Sequence, residues 1–234
     1  MKTKLALFLA LVGMVVAPMT ASADTTFNDS LSDPGVYFGS GNFNSGWTVN
    51  TSTNSDGSTL QIGLEALTRY VGPITPTTND YSYTPGGYKC FSSSTTSACS
   101  NWDFAFSVNT GTDPLSTYNY ELTITDDTTS AAYAFNPSLI LDNATSGNGF
   151  QNSENLGFAG LVGPLAFNPD AADEYTIVLS AFPTSGVNND PSVSIDLLPT
   201  SPTPEPSSLL LLGTGLLGLA FVAFRRAKAS GLTF

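Results

Sequence analysis

The sequence predicts an all-β ectodomain, a β-sandwich or jelly roll, held between an apolar N-terminus and an apolar C-terminus. Three observations lead there. Trp102, Phe104, Phe106 and Val108 alternate with Asp103, Ala105, Ser107 and Asn109, and Tyr118, Tyr120, Leu122 and Ile124 alternate with Asn119, Glu121, Thr123 and Thr125. Period two gives a strand one apolar and one polar face. About eight to ten such short segments are separated by Gly, Asn, Asp and Pro, the residues of turns. Finally, all 19 acidic residues lie between Asp24 and Glu205, while five of the seven basic residues lie at the two ends. A translocated segment cleared of positive charge looks like this.

Residues 1–23 read as a signal peptide. Lys2 and Lys4 form a positive n-region, and Leu5 to Ala17 is apolar. Ala21 and Ala23 flank Ser22 as the small residues that signal peptidase requires, so the mature chain is expected to begin at Asp24. An uncleaved anchor is the alternative, and the shortness of the run argues against it. The absence of Cys after the run argues against a lipoprotein.

Residues 24–200 form the predicted ectodomain, long enough for one proper core. Strand candidates are 35–39, 46–51, 81–88 and 132–141. The segments 102–108 and 118–124 are expected to pair as a hairpin around Gly111-Thr112-Asp113-Pro114. Residues 59–71 fit a strand through Leu60, Ile62 and Leu64, or a helix through Leu60, Leu64, Leu67 and Val71 with Glu65 and Arg69 paired at i, i+4. Gly63 and Pro73 favour the strand. Tyr175 to Phe182 is more continuously apolar and suits a central strand, and Val193, Ile195 and Leu197 alternate again. Phe27, Tyr37, Phe38, Trp47, Trp102, Phe104 and Phe106 are the expected core aromatics.

Composition narrows the function. The net charge is −12, there is no His, and Ser and Thr supply 57 of the 234 residues. An acidic chain offers no footprint for nucleic acid. Without His, neither a His-based metal site nor a Ser-His-Asp triad can form. Lys89 sits in no Ser-Lys motif, so no nucleophile is marked and no catalytic residue is expected.

Four further features are candidates for a role. Cys90 and Cys99, a lone pair in an exported chain, are expected to form a disulfide. Asp126 with Asp127, Asp142 with Asn143, and Asp170 with Asp173 and Glu174 are oxygen-rich and are weak candidates for Ca²⁺. None has the spacing of a defined calcium loop, and a solvated acidic turn is the plainer reading of each. Asp103 and Glu121 would face each other across the predicted hairpin, as a glycosidase pair does, or simply wet one face of a sheet. Tyr81, Tyr83 and Tyr88 crowd a Pro-Gly-Gly stretch, either as a sugar-stacking platform or as strand packing.

The C-terminus is the most specific part. Ser201 to Pro206 reads Ser-Pro-Thr-Pro-Glu-Pro, which cannot be helical. Leu209 to Phe224 carries no charge. Sixteen residues span about 24 Å as a helix, short of the ~30 Å hydrocarbon core. Residues 207–224 are nevertheless expected to form one transmembrane helix, with 225–234 as a basic cytoplasmic tail beginning at Arg225 and Arg226.

Pro204-Glu205-Pro206, the Leu- and Gly-rich run and Arg225-Arg226, in that order behind a signal peptide, resemble the PEP-CTERM sorting signal. The resemblance implies a Gram-negative-type bacterium with an exosortase that acts at the Pro-Glu-Pro motif. It implies an inner-membrane-anchored precursor, then display at the cell surface or in the matrix, and a link to exopolysaccharide and biofilm. Ala227 to Phe234 extends beyond the family's usual abrupt end. The expected partners are signal peptidase, exosortase, the membrane and exopolysaccharide. No cofactor is required beyond the weak Ca²⁺ candidates. A structural or adhesive protein is the expectation, with a carbohydrate-binding module or a carboxylate-based polysaccharide-active enzyme as alternatives.

Overall fold

A computed structural model describes residues 23–32, 43–54, 56–90, 98–158, 165–185, 190–200 and 208–229. Along the chain run β1 (Ala23–Asp29), β2 (Trp47–Thr53), β3 (Thr59–Thr68), β4 (Gly72–Pro73) and β5 (Asp80–Tyr83). Then come β6 (Gly87–Lys89), β7 (Ala98–Ser100), β8 (Trp102–Asn109), β9 (Tyr118–Asp126) and β10 (Ala131–Phe135). β11 (Ala144–Ser146), β12 (Gly149–Glu154), β13 (Tyr175–Pro183) and β14 (Ser192–Pro199) complete the ectodomain, and helix α1 (Ser208–Ala229) follows. The described residues are mostly strand, 52%, as the alternation predicts.

Two sheets face each other. The larger runs β1-β2-β3-β8-β12-β11 with β4 attached to β3, and the smaller runs β10-β9-β13-β14-β5. β6 and β7 make a separate ribbon. Neighbours pair antiparallel except β14 and β5, which run parallel in the register Leu197 with Tyr81.

Alternation decides what lies between the sheets. Leu60, Ile62, Leu64 and Ala66 of β3 and Trp102, Phe104, Phe106 and Val108 of β8 point inward from the larger sheet. Leu122 and Ile124, Ile177 and Leu179, and Ile195 and Leu197 meet them from β9, β13 and β14. All of these are buried. Truncating one large core ring such as Phe106 to Ala costs about 3–5 kcal/mol.

β8 is buried on both faces, because a second cluster of Leu31, Trp47, Val49, Leu67 and Ala105 covers the outer side of the larger sheet. Gly63 permits it. A Cβ there would stand 3.0 Å from Leu31 Cδ2 and 3.1 Å from Trp47 Cε3, so no larger residue fits without displacing the cluster.

The predicted hairpin does not form. β8 pairs with β3 and β12, while β9 pairs with β10 and β13 in the opposite sheet. The connection is no tight turn: Pro114 and a 3₁₀ turn at Leu115–Thr117 carry the chain across from one sheet to the other. The 59–71 segment resolves as a strand, β3, that ends at Thr68, with a turn at 69–71, and Glu65 and Arg69 do not pair. β13 is central, as expected. The 81–88 candidate divides into β5 and β6, and the 132–141 candidate stops at Phe135 because Pro137 cannot donate to a ladder. Phe27 is not core: it sits half-exposed on β1 at the sheet edge. The 35–39 candidate, Tyr37 and Phe38 lie outside the described residues. So do residues 1–22, with Ala21; Ala23 is the first residue of β1.

Candidate functional site

Two adjoining clefts run along one side of the ectodomain and share Asp142 and Phe158 as walls. The first, about 440 Å³, lies where edge strand β10 faces β12. Tyr133 and Phe135 of β10 form one wall, with ring centroids 5.6 Å apart and planes only 26° from parallel. Alternation sets this, since both residues point to the same face of the strand. Asn136 accepts a hydrogen bond from the Ser138 N–H at 3.0 Å and caps a 3₁₀ turn at Pro137–Leu139. That turn brings Leu139 and Ile140 to the cleft and leaves Leu139 exposed there.

The acidic groups of this cleft are the carboxyls of Asp142 and Glu154. The Asn152 amide donates to Asp142 Oδ1 and to Glu154 Oε1, each at 3.1 Å, and so holds the two acidic groups beside one nitrogen. Glu154 is 8% exposed. Burial, then the charges of Asp142 and Asp103, push its carboxyl up to about 7.

The second cleft, about 510 Å³, contains Arg69. Its Nη1 donates to both oxygens of Asp103, at 3.0 and 3.1 Å. Its guanidinium also lies over the rings of Tyr70, Tyr88 and Phe158 at 5.0–5.7 Å. Asp103 accepts in addition from the buried Asn155 amide at 2.6 Å. Burial raises Asp103, and Asn155 and Arg69 pull it back down. Phe43 and the exposed Tyr70 and Val71 complete this end.

The disulfide stands behind this wall. Cys90 and Cys99 are bonded, with Cα atoms 5.0 Å apart, as the lone pair predicts. Asn155 ties β7 to the end of β12: its amide donates to the carbonyls of Ser100 and Trp102, and its oxygen accepts from the Ser100 and Gly157 N–H groups. At Gly157 a Cβ would fall 2.6 Å from Cys99 Cα, so glycine lets the segment cross the disulfide strand.

Other expected sites come out differently. Asp103 and Glu121 lie in opposite sheets, Asp103 buried with Arg69 and Glu121 exposed, so they are no catalytic pair. Tyr81 and Tyr83 are buried strand residues rather than a sugar platform. Tyr81 donates to the Gly46 carbonyl and Tyr83 to that of Asp173. Tyr88 is half-buried over Arg69.

The acidic clusters do local structural work. Asp126 caps a turn by accepting from the Thr128 and Thr129 N–H groups, and Asp127 accepts from the Thr176 hydroxyl. The Asn143 amide donates to the Pro137 carbonyl. The Asp170 N–H is bonded to Asn168, and the Glu174 N–H to the Thr128 hydroxyl. Among the described residues no three His, Cys, Asp or Glu gather where a metal ion would sit. Of the Ca²⁺ candidates, Asp142 lines both clefts described above. Glu154, Arg69, Tyr133 and Phe158 were not singled out by the sequence; a Tyr-Ala-Phe alternation at 133–135 was the available signal.

Glu65 is a buried acidic group without a hydrogen-bond partner among the described residues. Glu65 is 1% exposed, and neither carboxyl oxygen has a hydrogen bond. Burial alone pushes it up to about 9, so at neutral pH it is protonated.

Pro204, Glu205 and Pro206 lie outside the described residues. Arg225 and Arg226 are exposed on α1, and Arg225 lies over the Phe221 ring at 5.6 Å. Leu216, Leu217, Leu219, Phe221 and Phe224 are exposed along the same helix. Among the described residues, however, no helix is long and apolar enough to cross a membrane. The transmembrane expectation for 207–224 is corrected: α1, 22 residues long, runs past Phe224 into a basic end, and its apolar stretch falls short of what a span requires. Gly213, Thr214, Gly215 and Gly218 dilute the run, and Arg225 and Arg226 end it.

A β-rich, disulfide-bonded domain followed by a Pro-rich stretch, an apolar helix and an arginine pair defines an exported protein with a C-terminal sorting signal. Residues 202–227 match the PEP-CTERM protein-sorting motif, so the chain carries this domain, which implies an exosortase as its processing partner. The motif implies a membrane-anchored precursor. No curated protein and no solved structure matches the chain.

Proposed function

We propose that this exosortase-sorted protein is displayed at the cell surface or in the extracellular matrix, where its β-sandwich ectodomain serves a structural or adhesive role in an exopolysaccharide layer. The carrying observation is the sorting motif at 202–227, placed directly after the ectodomain. An uncharged, glycine-dotted stretch of 16 residues, Leu209 to Phe224, about 24 Å long as a helix, suits a segment meant to be handed to a membrane enzyme and removed. Residues 1–23 act as the cleaved signal peptide in this reading. The scarcity of Lys and Arg in the ectodomain favours the location, because a weakly basic surface avoids non-specific capture by anionic polymers.

Intact mass of the surface or secreted form, from strains with and without the exosortase, tests the reading. The expected species runs from Asp24 to the region of Pro204–Pro206 and disappears without the enzyme. A species that retains Leu209 to Phe234 in both strains overturns it. The cleft beside β10 supports a binding role for the ectodomain over a purely structural one.

A further inference from the structure

We propose that the cleft between β10 and β12 is a binding site for a neutral pyranose saccharide, stacked on Tyr133 and Phe135 and hydrogen-bonded by Asp142 and Glu154. It names a ligand class for the adhesive role proposed above and rests on that reading only for where the ligand is met.

The shape fits. A volume of about 440 Å³ lies within the ~300–1,000 Å³ of small-ligand pockets. The near-parallel Tyr133 and Phe135 rings present an apolar wall, and the C–H face of a pyranose ring packs on such a surface. Ile140 and the exposed Leu139 extend the apolar surface to the rim. An exposed apolar patch beside a concave site marks a contact surface.

The polar chemistry selects the sugar. A carboxylate accepts from neighbouring hydroxyls in charge-assisted hydrogen bonds, and a protonated carboxyl both accepts and donates. Asn152 holds Asp142 and Glu154 through one oxygen each, at 3.1 Å. The second Glu154 oxygen has no protein partner among the described residues. No basic residue lines this cleft, and Arg69 next door is bonded to Asp103. An anionic uronate would therefore meet two acidic groups and no counter-charge, in an ectodomain that is itself strongly acidic. A neutral pyranose meets carboxyl oxygens together with the Tyr133 hydroxyl and the Asn136 amide, and brings no like charge.

Calorimetry on the full-length protein in detergent micelles tests this, with gluco-, manno- and galacto-tetrasaccharides against tetragalacturonate. At least one neutral tetrasaccharide should bind with a sub-millimolar Kd, and tetragalacturonate should not bind. Tyr133→Ala and Asp142→Asn should each weaken binding about ten-fold. Asp142 is exposed, so its variant remains readable if Tyr133→Ala fails to fold. No heat with any neutral probe, binding untouched in Asp142→Asn, or equal binding of tetragalacturonate overturns the inference. A correctly processed protein that binds no neutral sugar defeats this inference and leaves the sorting reading intact. An unprocessed protein that binds one does the reverse.

Discussion

Replacing Glu65 by Gln should stabilise the ectodomain at neutral pH, by an amount that grows as pH rises. Glu65 is buried on β3 without a hydrogen-bond partner, and its carboxyl is pushed from the ordinary 4.5 to about 9. A raised carboxyl favours folding fully below its unfolded value and loses that contribution as pH climbs towards the folded value. Each pH unit in between costs about 1.4 kcal/mol. At pH 7 the folded group is still protonated and the unfolded one ionised, which amounts to about 3 kcal/mol. That is a large part of an ordinary domain stability of about 5–15 kcal/mol. The Gln amide adds an unsatisfied polar group of its own, but this offset does not depend on pH. The slope is therefore the test. Urea unfolding of the wild type and Glu65→Gln across pH 5–9 should give a stability difference that moves in favour of the variant by about 1.4 kcal/mol per pH unit. Curves that stay parallel over this range would refute the reasoning and mean that Glu65 is hydrated or ionised in the fold.

Three more outcomes are expected. Reducing the Cys90–Cys99 bond should lower stability by about 2 kcal/mol, somewhat under the ~3 kcal/mol of a fifteen-residue loop, measured by denaturation with and without reductant. Arg69→Ala leaves Asp103 buried with Asn155 but without its ion pair, and should cost about 3 kcal/mol in the same assay, with partial rescue by Asp103→Asn in the double variant. Glu205→Ala removes the one charge of the Pro-Glu-Pro motif; cells carrying it should accumulate the full-length membrane form, and unaltered release in a mass measurement would contradict the assigned role.

Much of this was legible in local pattern. Trp102 to Asn109 and Ser192 to Leu197 show their two faces residue by residue, and both are strands. The lone cysteine pair became a disulfide. Polar β12, Gly-Phe-Gln-Asn-Ser-Glu, was missed because it gains its place from the buried strand beside it rather than from its own hydropathy. Tyr81 and Tyr83 were left between two readings: their neighbours Pro85, Gly86 and Gly87 suggest exposure, yet the parallel pairing of β5 with β14 turns both rings into the core, the strand-packing alternative.

The sequence by itself determined the sorting signal, the β class, the disulfide and the segregation of charge, because each is written in contiguous residues or in a lone pair. Tertiary structure alone decided the rest. It placed β8 and β9 in opposite sheets, separating Asp103 from Glu121. It buried Glu65 without a partner. It assembled one cleft from Tyr133, Phe135, Asp142 and Glu154, and set Arg69 with Asp103 beside it. The reason is physical: alternation specifies which face of a strand is apolar, but the partner across the sheet and the layer opposite are chosen by the packing of the whole core.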